Sequence, residues 1–312
     1  MKLRRKLLFS AVATLLGLTL LEGGVRLGSD TLAKATIPAD EILAHVEGGG
    51  MSRDPLLGWK HNPLPDPSNG VNKLGWRYHK VPDPKRETWR AFAMGDSQTY
   101  GAGVLPHESW PGQAERLLQI GRGQVELINA GCSGYGSLQA LRQIREQFPA
   151  YNPDLYLVDA RVFDQPADEM VPPVDGALQR LLFHSRLYYW MRVLIEDKRQ
   201  NTERMGGPQR SDEKTGNHQG ILNQAAMQGV PVLFLDYPVW DMKLDRIVCL
   251  ASVDRMPPDA ELIEACKAIQ ADGRPGRELF FDNNHMRPEG NAIVAKAVVE
   301  AIDARGLGPE RK

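Results

Sequence analysis

Cysteine is scarce in this chain of 312 residues: Cys132, Cys249 and Cys266 are too few for a disulfide scaffold and stand at no zinc-ligand spacing. Cys249 with Cys266 is left as a candidate bridge for an oxidising compartment. An excess of one charge is missing too. With 38 basic residues against 39 acidic ones, no broad positive field recommends a nucleic-acid partner. Internal repeats and low-complexity tracts are lacking, and 42% hydrophobic with 25% charged residues excludes collagen-like and wholly disordered classes. One sizeable domain is expected.

Long apolar runs are confined to the N-terminus. Lys2, Arg4, Arg5 and Lys6 precede a largely apolar stretch from Leu7 to Leu21 that Glu22 interrupts, which is the layout of an export signal. At about 1.5 Å per residue the stretch falls short of a hydrocarbon core of about 30 Å, although flanking Lys and Arg side chains snorkel. The small-residue pattern Ala33-Lys34-Ala35 lies well beyond its end, so residues 1–27 read as an uncleaved anchor in the inner membrane, with secretion after signal removal as the alternative. The positive flank stays inside, which puts the rest of the chain on the periplasmic or exterior side.

Residues 28–70, rich in Pro, Gly, Asn and Asp, read as a stalk and loop-rich lead-in. Beyond it, a domain over 71–304 shows alternating strand and helix patterns, followed by a tail at 305–312. Ala91–Met94, Val125–Asn129, Leu155–Val158, Val232–Leu235 and Leu279–Phe281 are strand candidates; Trp110–Ile120, Ser137–Phe148 and Pro288–Ile302 have helical spacing, with Ser137 and Pro288 as starts. Such alternation predicts an α/β fold with a parallel sheet covered on both faces and its site at the carboxyl ends of the strands. In 196–218 the only large apolar side chain is Met205, so this stretch reads as a mobile insertion.

Three segments carry chemistry. Gly95-Asp96-Ser97 follows the first strand, where a serine exposes its hydroxyl and its own backbone N–H at the sheet edge. Asn129-Ala130-Gly131-Cys132-Ser133-Gly134 follows the second, and its glycines let backbone N–H groups approach a ligand. A dinucleotide loop is disfavoured there, because the spacing is not G-x-G-x-x-G and the run does not follow the first strand. Asp282-Asn283-Asn284-His285 lets a carboxylate reach an imidazole and set its tautomer. A metal would need at least a third ligand, and no other histidine is near in sequence.

In this order the three segments resemble the SGNH (GDSL-type) hydrolase family, and Asn72-Lys73-Leu74-Gly75-Trp76-Arg77 resembles the lead-in of its membrane-anchored bacterial members. The resemblance implies a flavodoxin-like three-layer α/β/α fold and ester chemistry without metal or cofactor. It implies Ser97 as nucleophile, His285 as general base, Asp282 as its orienter, and the N–H groups of Ser97 and Gly134 as oxyanion donors. One departure stands out: counting from Pro153-Asp154 puts Phe163 where the family has a donor Asn, with Arg161 and Gln165 as possible substitute donors. The implied activity is ester hydrolysis or O-acyl transfer on an acylated small molecule or a glycan of the envelope or exterior. A non-catalytic glycan-binding or scaffold role is the alternative that Phe163 motivates.

Overall fold

The computed structural model describes residues 2–36, 50–64, 70–84, 88–160, 177–182, 185, 187, 188, 191, 192, 195, 211–236, 238–249 and 256–309. They form two compact units, one of residues 1–59 and 169–208, the other of residues 60–168 and 209–312.

The first unit is led by helix α1 (Lys2–Thr36). Within it Phe9–Leu27, at a mean hydropathy of 1.3 and with no part buried, is long and apolar enough to cross a membrane. The helix itself continues beyond this apolar stretch to Thr36, with no proline in the chain before Pro38 to interrupt it. Strand β1 (Met51–Asp54) and, next in the chain, β2 (Gly58–His61) follow.

In the second unit β3 (Trp89–Met94) leads into a four-residue helix, α2 (Ser97–Tyr100), and then α3 (Trp110–Gln119). Next come β4 (Val125–Asn129), α4 (Ser137–Arg142) and β5 (Leu155–Asp159). After α5 (Ala177–Leu182), which belongs to the first unit, the chain continues with α6 (Ser211–Gln228), β6 (Val232–Leu235), β7 (Pro238–Asp241) and β8 (Arg246–Cys249). It closes with β9 (Leu262–Ile263), α7 (Ala265–Asp272), α8 (Gly276–Leu279) and α9 (Pro288–Ala304).

The main sheet has five strands in the order β4-β3-β5-β6-β9, every neighbouring pair parallel. Numbered within the sheet this is 2-1-3-4-5, the flavodoxin-like order, whose switch point lies between its first and third strands. Alternation along the strands divides the core in two. Ala91, Ala93, Leu127, Leu155, Leu157, Leu233 and Leu235 pack with Trp110, Ala114 and Leu118 of α3 and Val294, Val298 and Ile302 of α9. Phe92, Met94, Ile128, Tyr156, Val158 and Phe234 face the other way, onto Ala140, Ile144, Phe148, Ile221 and Ala225. The result is the expected three-layer sandwich.

Some local expectations need correction. Leu279–Phe281 is no sheet strand: Leu279 ends α8, whose Gly276 lies under the Trp240 indole so closely that a Cβ would come within 2.1 Å of it, and Phe280 makes only an isolated bridge to Met286. The fifth strand is the two-residue β9, too short for any periodic signal. Gly136, not Ser137, is the N-cap residue of α4; the Gln139 side chain accepts the Gly136 N–H at 3.1 Å. After Arg142 the helix loosens into a π turn, Gln143–Gln147, and a 3-10 turn, Phe148–Tyr151. Of the segment read as an insertion, 211–218 opens α6, and 196–210 lies outside the described residues.

A disulfide joins Cys249, at the end of β8, to Cys266 in α7, 17 residues on. It ties the antiparallel β7–β8 hairpin to the helix after β9. Closing a loop of this length removes unfolded-chain entropy worth about 3 kcal/mol. Reduction with a thiol, or Cys249→Ser with Cys266→Ser, is therefore expected to lower the denaturation midpoint by that order, read as the loss in unfolding free energy.

Candidate active site

Ser97 is the first residue of α2, directly after β3, and sits at the carboxyl edge beside the switch point. Asp96 caps this helix, its carboxylate accepting the Gln98 N–H at 2.8 Å. As the first helical residue, Ser97 has no intrahelical acceptor for its own N–H. Gly101, at φ +81°, ends the helix in the left-handed conformation that glycine adopts without strain.

The turn is held by contacts that leave no room for side chains. A Cβ on Gly95 would come within 2.3 Å of Thr99 Oγ1 and 2.6 Å of Asp159 Cβ; one on Gly131 would meet Tyr100 N at 2.7 Å. The segment after β4 thus rests on the serine helix. Asn129 Nδ2 donates to Thr99 O at 2.7 Å, Asn129 Oδ1 accepts the Gly131 N–H at 3.1 Å, and Cys132 N–H donates to Gly95 O at 3.0 Å. Gly134 lies in the same segment at φ +83°, where a side chain would strain the backbone.

The third segment enters between α8 and α9. Asp282 Oδ1 accepts the backbone N–H groups of Asn284 and His285, each at 2.8 Å, so the turn is built around its own carboxylate. Asp282 Oδ2 lies 2.8 Å from His285 Nδ1, and His285 Nε2 lies 2.9 Å from Ser97 Oγ. Partial burial pushes the Asp282 carboxyl up, but the hydrogen bonds from the His285 ring and the two backbone N–H groups outweigh it, and the group is held below the usual carboxylate range. Ser97, Asp282 and His285 are all half-buried. Of the remaining expected site residues, Arg161, Phe163 and Gln165 lie outside the described residues.

Two polar residues that sequence reasoning passed over brace this arrangement. Gln98, 4% exposed, donates from Nε2 to Pro238 O at 2.8 Å and to Asn284 O at 2.6 Å, linking the serine helix to β7 and to the loop that carries His285. Nothing local marks it, since both acceptors are backbone carbonyls far away in the chain. Trp240 N–H reinforces the link by donating to Asn283 O at 2.9 Å. Arg77, at the end of the lead-in segment, donates to the carbonyls of Tyr100, Gly101 and Val104, each at 2.6 Å, and lies over the Tyr100 ring. His61 stacks on the same ring at 4.2 Å; burial, then the Arg77 charge, push its imidazole down to about 4 and keep it neutral.

Among the described residues one group has atoms close enough to ligate a metal, Asp236 with Cys249 and Cys266. Its two sulfurs are joined in the disulfide and offer no thiolate.

A parallel 2-1-3-4-5 sheet between two helical layers, with a serine turn after its first strand, is the SGNH hydrolase fold. The chain belongs to the GDSL-like Lipase/Acylhydrolase family, whose model matches residues 93–293, and is thereby placed among hydrolases acting on esters. No curated protein matches it. Among solved structures it is similar to an acetyl xylan esterase, AlAXEase, at 17% identity and a TM-score of 0.44 over 68% of this chain and 99% of that one. LAE5, an alpha/beta hydrolase enzyme from the metagenome of Lake Arreo, Spain, is similar at 14% identity and 0.46, covering 72% and 98%. A two-domain esterase, CEX, active on acetylated mannans, is similar at 13% and 0.44, covering 70% of this chain and 49% of that one. None of these likenesses bears on substrate.

Replacing Gln98 by Met keeps the volume but removes both donors, leaving two carbonyls short of a partner. The expected stability loss is about 1–3 kcal/mol. Turnover of an activated acetate ester should fall further than that loss explains, by up to about 10²-fold in kcat with KM little changed, because the Ser97–His285 distance loosens. Steady-state kinetics beside a thermal melt separate the two effects.

Proposed function

We propose that this protein is an exported, membrane-anchored serine esterase or O-acyltransferase acting on O-acyl groups of an envelope or extracellular glycan. The observation that carries the chemistry is the continuous contact from Ser97 Oγ through the His285 ring to Asp282, at 2.9 and 2.8 Å. In this reading Asp282 accepts the Nδ1–H and thereby leaves Nε2 free to accept the Ser97 proton as Oγ attacks the ester carbonyl. The imidazolium that forms is stabilised by the carboxylate and returns its proton to the departing alcohol. The N–H groups of Ser97 and Gly134 donate to the oxyanion. Water resolves the acyl-enzyme in a hydrolase and a sugar hydroxyl resolves it in a transferase; the same Ser97 ester serves both.

Export is supported by the basic cluster Lys2 to Lys6 ahead of an exposed apolar helix, and by the Cys249–Cys266 bridge, which suits an oxidising compartment. Retention of the anchor is supported by the helix running unbroken through Ala33-Lys34-Ala35. Phe163 motivates a second reading, a non-catalytic glycan-binding or scaffold protein, because phenylalanine donates no hydrogen bond to an oxyanion.

A fluorophosphonate probe applied to the full chain in detergent decides between them: labelling at Ser97 supports the esterase, and an unlabelled, folded protein supports the scaffold. In the esterase reading Ser97→Ala abolishes labelling with an unchanged melt. Asp282→Asn lowers kcat by on the order of 10³- to 10⁴-fold while stability changes little. Because its carboxyl is held below the ordinary range, Asp282 stays ionised as the medium is made mildly acidic, and its own protonation lowers kcat/KM only below the ordinary carboxylate range. A loss of kcat/KM that Asp282 contributes within that range, read as the difference between the pH profiles of the parent and Asp282→Asn, overturns that assignment. If Phe163 replaces the family's donor, Phe163→Asn raises turnover by about 10-fold, equivalent to roughly 1.4 kcal/mol of transition-state stabilisation.

A further inference from the structure

The first unit contains an unusual pairing. Glu22 lies inside the apolar stretch Phe9–Leu27, where a lone carboxylate is expensive in lipid. It is not alone. Its Oε1 accepts Arg26 Nε at 2.7 Å, while Oε2 accepts the Ser185 hydroxyl at 2.7 Å and the Leu187 N–H at 2.9 Å. Ser185 Oγ in turn accepts the Tyr188 N–H at 3.1 Å, which caps the helical residues that follow. The charge that interrupts the N-terminal apolar run is thus the docking point for a segment more than 160 positions later in the chain.

That segment exposes large apolar side chains. Leu178, Leu181 and Leu182 of α5 stand at i, i+3 and i+4 on one helical face, exposed by 68%, 69% and 39%. Met191 and Ile195, a helical turn apart, are exposed by 45% and 68%. The helix to which they are docked is bare in the same way, with Leu16 and Leu20 exposed by 59% and 75%. Apolar groups gathered at one end of a membrane-length helix have an obvious solvent other than water.

We propose that α5 together with Met191 and Ile195 forms a second membrane-contact element, lying in the outer interface of the bilayer that α1 crosses and held there by Glu22 through Ser185 and Leu187. The depth agrees. Glu22 precedes Leu27, the outer end of the apolar stretch, by five residues or about 7.5 Å, and interfacial helices bury their apolar faces about 5–10 Å into the headgroup boundary. The inference rests on the anchor reading of α1. It adds that membrane contact is also built from chain inserted between β5 and α6, so that it belongs to the enzyme's own sequence and not to a leader alone.

The test is nitroxide labelling of the full chain in vesicles of phosphatidylethanolamine and phosphatidylglycerol. Single cysteines replace Leu16, Leu181, Ile195 or the exposed Ile120 in a Cys132→Ser background, and collision with oxygen is compared with collision with a water-soluble nickel chelate. The expected result is an oxygen-to-nickel ratio at Leu181 and Ile195 close to that at Leu16 and well above that at Ile120. Water-like values at Leu181 and Ile195 with a lipid-like value at Leu16 overturn the proposal and leave the anchor standing. A water-like value at Leu16 overturns the anchor itself. Labels at Leu181 shielded from both probes identify a protein partner such as a second copy, and also overturn the proposal. Glu22→Leu combined with Ser185→Ala should shift Leu181 toward the Ile120 value while Leu16 holds; no shift refutes the role given to Glu22.

Discussion

In the second unit the serine turn and the segment after β4 meet backbone to backbone, with Cys132 N–H donating to Gly95 O at 3.0 Å and Gly131 lying against the Tyr100 amide. Gly95 and Gly131 have no Cβ because Thr99, Asp159 and the Tyr100 amide occupy the space. This contact puts the start of α2 at the switch point of the sheet, with the Ser97 N–H and the Gly134 segment on neighbouring strands. A methyl group at Gly131 would press on the Tyr100 amide and the Thr99 side chain of α2, and one at Gly95 on Thr99 and on Asp159 of β5, so either would displace the serine turn. The fold therefore constrains the site through what these positions lack.

Around that contact the polar side chains form a frame whose acceptors are mostly backbone. Asn129 holds the carbonyls at the end of α2, Arg77 holds those of the following loop, and Gln98 reaches across to Pro238 and Asn284. Asn129 and Arg77 satisfy carbonyls that a four-residue helix and its following loop leave without intrahelical partners, and Gln98 ties that helix to carbonyls of β7 and of the His285 loop. The turn that carries Ser97 is thus braced by buried donors on three separate segments, one of them in the lead-in that precedes the first sheet strand.

The Asp282–His285 turn depends less on distant partners. Its carboxylate binds the backbone two and three residues ahead and the imidazole with its other oxygen, so one residue shapes the turn and orients the ring. Only the approach to Ser97 requires the whole domain. An imidazole positioned by its own turn and a serine positioned by interlocking loops meet at 2.9 Å because α9 and β3 belong to one packed sandwich.

By itself the sequence determined the elements whose signal is local. Four of the five sheet strands were legible as apolar runs, α3 and α9 as periodic patterns, the latter with a leading Pro, and Ser97, Asp282 and His285 as polar residues in three separate short segments. Tertiary structure decided the rest. The fifth strand is two residues long and exists only because Phe234 and Leu235 of β6 offer it a parallel edge. Leu279 and Phe280, apolar enough for a strand, are both fully buried outside the sheet, Leu279 as the last residue of α8 and Phe280 in an isolated bridge to Met286, because burial is what their apolarity requires and the sheet is not the only place that provides it. Gln98 carries no pattern, since a buried amide is defined by carbonyls brought to it from remote parts of the chain. Glu22, in sequence the residue that breaks an apolar run, has its partners supplied by Ser185 and Leu187, a pairing that no local periodicity encodes.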